Sequence, residues 1–158
     1  MTFKLFDEVA AAAHCDVPCG VYEPVTAKIA ARTVERMIRQ LTDVHLPKDP
    51  KDEVAAREYV QMVSRRIAVK EEHAEKVKRE LQVLWSDFFK PEHLEKFPQL
   101  HDTFWQALKL ASKTKQEGTL EVAEKLNAAV DEIAKTFYAV KNDPARYDAY
   151  KLITDKLF

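Results

Sequence analysis

Apolar residues return every third or fourth position along most of this chain, the repeat of a helix that buries one face. No segment alternates convincingly at period two, and there is no internal repeat or low-complexity tract. A first helix is predicted after Pro24, a favoured opening residue, and runs to about Leu41 with Val25, Ile29, Val34, Ile38 and Leu41 on one stripe. A second is predicted to open at Asp49-Pro50 and to reach about Phe89. Its apolar positions Val60, Val63, Ile67, Ala74, Val77, Leu81, Leu84 and Phe88 step by threes and fours, and only Lys70 interrupts them. A third helix carries Leu100, Phe104, Leu108 and Ala111 and ends near Lys115. After a turn at Gly118, a fourth runs from Thr119 to about Asn142 through Ala123, Leu126, Val130, Ile133, Phe137 and Val140. Asp143-Pro144 reads as the cap of a short terminal helix with Tyr147, Tyr150, Ile153 and Leu157.

Short connections between four amphipathic helices predict an all-α fold, an up-down antiparallel four-helix bundle over residues 24–142. Residues 143–158 form a C-terminal extension, expected to pack on the bundle or on a neighbouring subunit. The 158 residues suit one domain, and the 2 glycines leave few of the positive-φ positions that hairpins and phosphate loops need. A formal net charge of −1 gives no electrostatic case for nucleic acid or an anionic membrane as partner. No apolar run approaches the ~18 residues that span a bilayer. A bundle of this kind is a scaffold, so function has to be read from a site.

The di-iron sites common in such bundles need Glu-x-x-His pairs. The residues three before the five histidines are Ala11, Thr42, Lys70, Lys90 and Pro98, so no such pair exists. Gly-rich phosphate loops and the HExxH and GxSxG motifs are absent as well. His45, in a predicted loop, and His73, in a Glu/Lys-rich stretch, read as solvated surface residues. His93 and His101 flank a Pro-punctuated corner and read as structural hydrogen-bonders.

Candidate chemistry concentrates in His14-Cys15-Asp16-Val17-Pro18-Cys19-Gly20-Val21-Tyr22, which holds both cysteines and one of the two glycines. Pro18 lacks an N–H and restricts its neighbour, which argues against regular helix, and Gly20 turns the backbone at little steric cost. The segment is therefore expected to form a compact hook whose sulfurs converge. Thiolates with a nearby imidazole suit late first-row metals, and the lack of further ligand pairs disfavours a structural zinc site. A short-loop disulfide and two inert cysteines are the alternatives at this point.

Residues 1–13, MTFKLFDEVAAAA, end in four small residues that suit a peptidase subsite, and Asp7 and Glu8 spoil them as an export signal. They read either as a removable leader or as a helix-prone tail. Cleavage before His14 would free an α-amine beside an imidazole. That amine, the Cys15 amide nitrogen and the Cys15 sulfur would form two fused five-membered chelate rings, with the Cys19 sulfur completing a planar set suited to Ni(II) or Cu(II).

The hook resembles that of the nickel-containing superoxide dismutases, H-C-x-x-P-C-G-x-Y, matching at His14, Cys15, Pro18, Cys19, Gly20 and Tyr22. A second stretch, Leu84-Trp85-Ser86-Asp87-Phe88-Phe89-Lys90-Pro91 with His93, Glu95, Lys96, Pro98 and His101, is also similar to that family. The resemblance runs from about His14 to Asn142. It implies a leader at 1–13 removed by a dedicated peptidase, a nickel hook at 14–23 and a homohexamer. It further implies one nickel per chain, held by the His14 amine and imidazole, the Cys15 amide and both thiolates. The implied activity is disproportionation of superoxide to dioxygen and hydrogen peroxide as the metal alternates between Ni(II) and Ni(III). Tyr22 is implied to order water or peroxide near the metal, and Lys90 to attract superoxide. Where some members orient the axial histidine with a Glu and an Arg, this chain has Ala30 and His73, and His73 is a candidate to take over part of that role. Reduced thiolates and the poor export signal point to the cytoplasm. The rival reading of the same hook is a non-enzymatic metal-binding or thiol-redox bundle, with copper as one candidate metal.

Overall fold

The computed structural model describes residues 21–49 and 51–158, so the expected leader and hook residues 14–20 lie outside the described residues. Six α-helices follow in order: α1 Val25–Thr42, α2 Glu53–Val83, α3 His93–Lys96, α4 Leu100–Gln116, α5 Leu120–Val140 and α6 Pro144–Thr154. A π-helical turn, Leu84–Phe88, extends α2, and the described residues contain no strand. Helices α1, α2, α4 and α5 form the expected bundle.

Side-chain bridges fix its sense. Gln40, near the end of α1, accepts from Arg66 in the first half of α2. Trp85, after α2, meets His101 at the start of α4, whereas Lys70 in mid-α2 meets Lys115 in the last turn of α4. Lys28 bonds the Asn127 carbonyl, and Arg39 bonds Glu124, so α5 runs against α1. Neighbouring helices are therefore antiparallel in an up-down circuit. Gly118, at φ +60°, makes the tight reversal from α4 to α5.

The expected stripe of α5 is buried at Ala123, Leu126, Val130, Ile133 and Phe137. That of α1 needs correction. Val34 and Ile38 are buried as expected, but Ile29 is 44% exposed, and the core face continues through Ala27, Ala30 and Ala31. Small side chains there allow a close approach to α5, and the Asn127 amide donates both to the Ala31 carbonyl and to Glu35.

Helix α2 also departs from its pattern. It opens at Asp52, whose side chain accepts from the Val54 and Ala55 amides, three residues after the predicted cap at Asp49. With 31 residues it is about 46 Å long, against about 26 Å for the 17 residues of α4. Its N-terminal half overruns the four-helix region, so Val60 and Ile67 are exposed. Lys70 marks the boundary. It is buried, and its ammonium donates to the Lys115 carbonyl at 3.0 Å, capping the C-terminal end of α4. The one break in the apolar repeat is thus a cap for the neighbouring helix.

Two buried polar groups hold α1 to α5. Glu35 accepts from Arg32, Arg39 and Asn127. Lys28, 3% exposed, lies 3.0 Å from Asp131, which also accepts from the Tyr150 hydroxyl and from Lys151 of α6. Asp143 caps α6 as expected, accepting from the Arg146 amide. The inward face of α6 is Tyr147, Tyr150 and Thr154, because the Tyr150–Asp131 bond sets its rotation. Ile153 and Leu157, expected on that face, are exposed.

Burial pushes the Lys28 ammonium below the ordinary lysine value, partly opposed by its bond to Asp131. Burial by itself would raise the Asp131 carboxyl, but donation from Lys28, Tyr150 and Lys151 outweighs it and leaves the group below the usual carboxylate range. A depressed carboxyl contributes stability that is present above its unfolded value, about 4, and is lost as pH falls through the lower folded value. Asp131→Asn leaves Lys28 charged without its anion, and should cost about 3 kcal/mol in urea unfolding at pH 7. The gap between variant and parent should narrow on acidification below about pH 4.

Candidate functional site

Of the candidate site residues, His14, Cys15 and Cys19 lie outside the described residues, and Tyr22 lies within them. Tyr22 is separated from α1 by two residues and is half-buried. Its ring meets that of Phe88 at 5.7 Å between centroids, tilted by 59°. Phe88 in turn lies 4.4 Å from Phe137 and 4.9 Å from Phe89, so the tyrosine rests on an aromatic floor.

The π turn builds that floor. The Phe89 amide donates to the Leu84 carbonyl, closing a ring one residue wider than an α-helical one. Within this turn and the residue after it, Leu84 and Phe89 are buried, while Trp85 and Phe88 are half-buried against the core. Two histidines hold the corner that follows. The Lys90 amide donates to His93 Nδ1 at 3.0 Å, and the Trp85 indole donates to His101 Nδ1 at 2.8 Å. Both histidines therefore serve the structural role expected of them.

Tyr22 and Lys90, 68 positions apart, line one groove of about 400 Å³ together with Asp87, His93 and Lys141. Two exposed ammonium groups at its rim make it attractive to a small anion. Lys141 was not singled out in the sequence, where a lone lysine at a helix end carries no signal. Glu23 was missed as well. Its carboxylate accepts from the Tyr138 hydroxyl at 2.6 Å and pairs with Arg146.

Ala30 is 1% exposed and belongs to the core. His73 is half-buried, not fully solvated, and its Nδ1 donates to the Val69 carbonyl at 2.9 Å. In the neutral ring that bond leaves Nε2 as the accepting nitrogen. His45 is exposed in the loop after α1, as expected.

Among the described residues, no group of three or more His, Cys, Asp or Glu side chains could hold a metal ion. The donors suited to one are in the sequence at 14–19. Two soft thiolates and a nitrogen donor fit nickel by their chemistry.

Comparison with known proteins identifies the family. The profile of the nickel-containing superoxide dismutase family matches residues 9–141. The curated nickel superoxide dismutases of Streptomyces seoulensis and Streptomyces coelicolor are each 34% identical over 142 residues, covering 89% of this chain and 98% of theirs. A 1.30 Å structure of native nickel superoxide dismutase superposes with a TM-score of 0.68 at 34% identity, over 81% of this chain and 99% of the other. A structure whose nickel ligation corresponds to the oxidized state gives 0.69 at 33% identity, over 82% and 99%. A match over most of the chain in both sequence and fold places it in the family of nickel-containing superoxide dismutases, enzymes that act on superoxide with nickel as cofactor.

Proposed function

We propose that this chain disproportionates superoxide to dioxygen and hydrogen peroxide at a nickel ion held by His14, Cys15 and Cys19, after a peptidase has removed residues 1–13. The observation that carries this reading is the seat of Tyr22. The tyrosine lies three residues after Cys19, and it shares the groove of Lys90 and Lys141. A nickel hook at residues 14–19 would join the bundle beside a cationic rim suited to an anionic substrate.

The donors divide the work. Removal of the leader turns the non-basic amide nitrogen of His14 into an amine, so the chain gains a ligand only on processing. The imidazole of His14 and the amide nitrogen of Cys15 add further nitrogen donors, and both thiolates donate strongly enough to favour a higher oxidation state. When bound, nickel supplies one-electron exchange between Ni(II) and Ni(III). The overall reaction takes two superoxide ions and two protons to one dioxygen and one hydrogen peroxide. Lys90 and Lys141 raise the local concentration of the anion, and the Tyr22 hydroxyl orders water or peroxide. His73, with Nε2 able to accept, is the candidate to orient the His14 ring in place of the acid that Ala30 lacks.

A homohexamer and a cytoplasmic location complete the proposal. Supporting assembly, Val60 and Ile67 on the overrun of α2 and Trp105 on α4 are exposed apolar side chains that a neighbouring subunit would cover. No helix among the described residues is long and apolar enough to cross a membrane.

Native protein should lack residues 1–13 by intact mass and carry about one nickel per chain by metal analysis. Cys15→Ser and Cys19→Ser should each abolish superoxide turnover and nickel retention while far-ultraviolet circular dichroism stays unchanged. Retained turnover in either variant would overturn the assignment. Lys90→Gln should lower kcat/KM about threefold at low ionic strength, with the gap to the parent closing in high salt.

A further inference from the structure

Helix α6 lies wholly beyond residue 141, where the match to the family ends, yet it reaches the foot of the hook. Asn142, at φ 55°, reverses the chain after α5, and Asp143 caps the helix that follows. Asp131 then locks α6 in place through Tyr150 and Lys151. These bonds deliver Arg146 to Glu23, the residue directly after Tyr22. The same carboxylate accepts from the hydroxyl of Tyr138, which is 1% exposed. Glu23 is therefore clamped between α5 and α6.

We propose that Arg146 is a positioning residue, which holds Glu23 against Tyr138 and so fixes Tyr22 and the point at which residues 14–20 join the bundle. The inference rests on the reading of those residues as the nickel hook. Pro24 follows Glu23, restricting that residue's backbone and locking its own φ at the entry to α1. With the Glu23 side chain also pinned, few dihedral angles separate Tyr22 from a fixed point. Phe88 supplies a surface against which the ring rests. A clamp from a helix outside the family match would stabilise the groove-facing pose of Tyr22 in both metal-free and nickel-loaded protein.

Amide hydrogen exchange at residues 21–23 of the full-length chain tests the clamp without nickel, and release of nickel to a chelator from the processed enzyme tests its effect on the hook. Arg146 is half-exposed, so Arg146→Leu should speed exchange there about threefold, whereas Tyr138→Phe, which removes a buried charge-assisted bond, should speed it about tenfold. Nickel release should accelerate in the same order, and Arg146→Lys should restore most of both. In a Glu23→Gln background, Arg146→Leu should add little further change. The proposal is overturned if exchange at residues 21–23 is unchanged in Arg146→Leu and Tyr138→Phe, if it rises only together with exchange throughout the bundle, or if nickel release does not follow it. Failure of the hook reading itself is distinct, because Cys15→Ser enzyme would then keep its nickel while the exchange result stood.

Discussion

The placement of residues 21–24 depends on α1 staying fixed against α5, and the pair of buried Lys28 with half-buried Asp131 carries much of that hold. An ammonium removed from water is tolerable only beside an anion, and this anion also takes bonds from two residues of α6. One carboxylate thus ties three helices. If α1 slid along α5, the charge would lose its partner, Asn127 would lose the Ala31 carbonyl and Glu35, and Glu23 would leave Tyr138. Apolar packing alone has no comparable register, because alanine slides past its neighbours at little cost.

From that fixed helix the candidate site follows by short steps. Two residues separate Tyr22 from the first residue of α1, and its ring lies on aromatic side chains set by the π turn. The turn ends α2 at a corner directly before Lys90, which lines the groove. Recognition of a diatomic anion needs little shape, so positive charge and a narrow approach suit it better than a deep pocket. Among the described residues, Lys90 and Lys141 supply the charge.

Much of this was legible in the sequence, for identifiable reasons. Helix α5 follows its apolar repeat because it is flanked by α1 and α4 and also carries α6, so its stripe has no exposed end. The face of α1 misleads because alanines form it, and a reading keyed to large side chains moves to Ile29. In α2 the repeat is genuine over its whole length, but α4 ends beside Lys70 and only α1 continues along the rest. No local pattern reports how far a partner helix extends. The cysteines were found as candidates from residue type and spacing, and Tyr22 from the family resemblance. Lys141, Glu23 and Arg146 were not, because their meaning comes from contacts more than a hundred positions away in sequence or from a groove that only folding creates.

The two corner histidines carry a consequence for metal selectivity. His93 and His101 both spend Nδ1 accepting an N–H, one from a peptide bond and one from indole. The neutral rings must then keep their proton on Nε2, the nitrogen that a metal could otherwise reach. Binding an ion there would drive the proton onto Nδ1, against another N–H that cannot turn away. Both imidazoles are therefore withheld from coordination by the hydrogen bonds that shape the corner. A protein whose cofactor is nickel thus offers little competing chelation at this corner, where its own fold places two histidines.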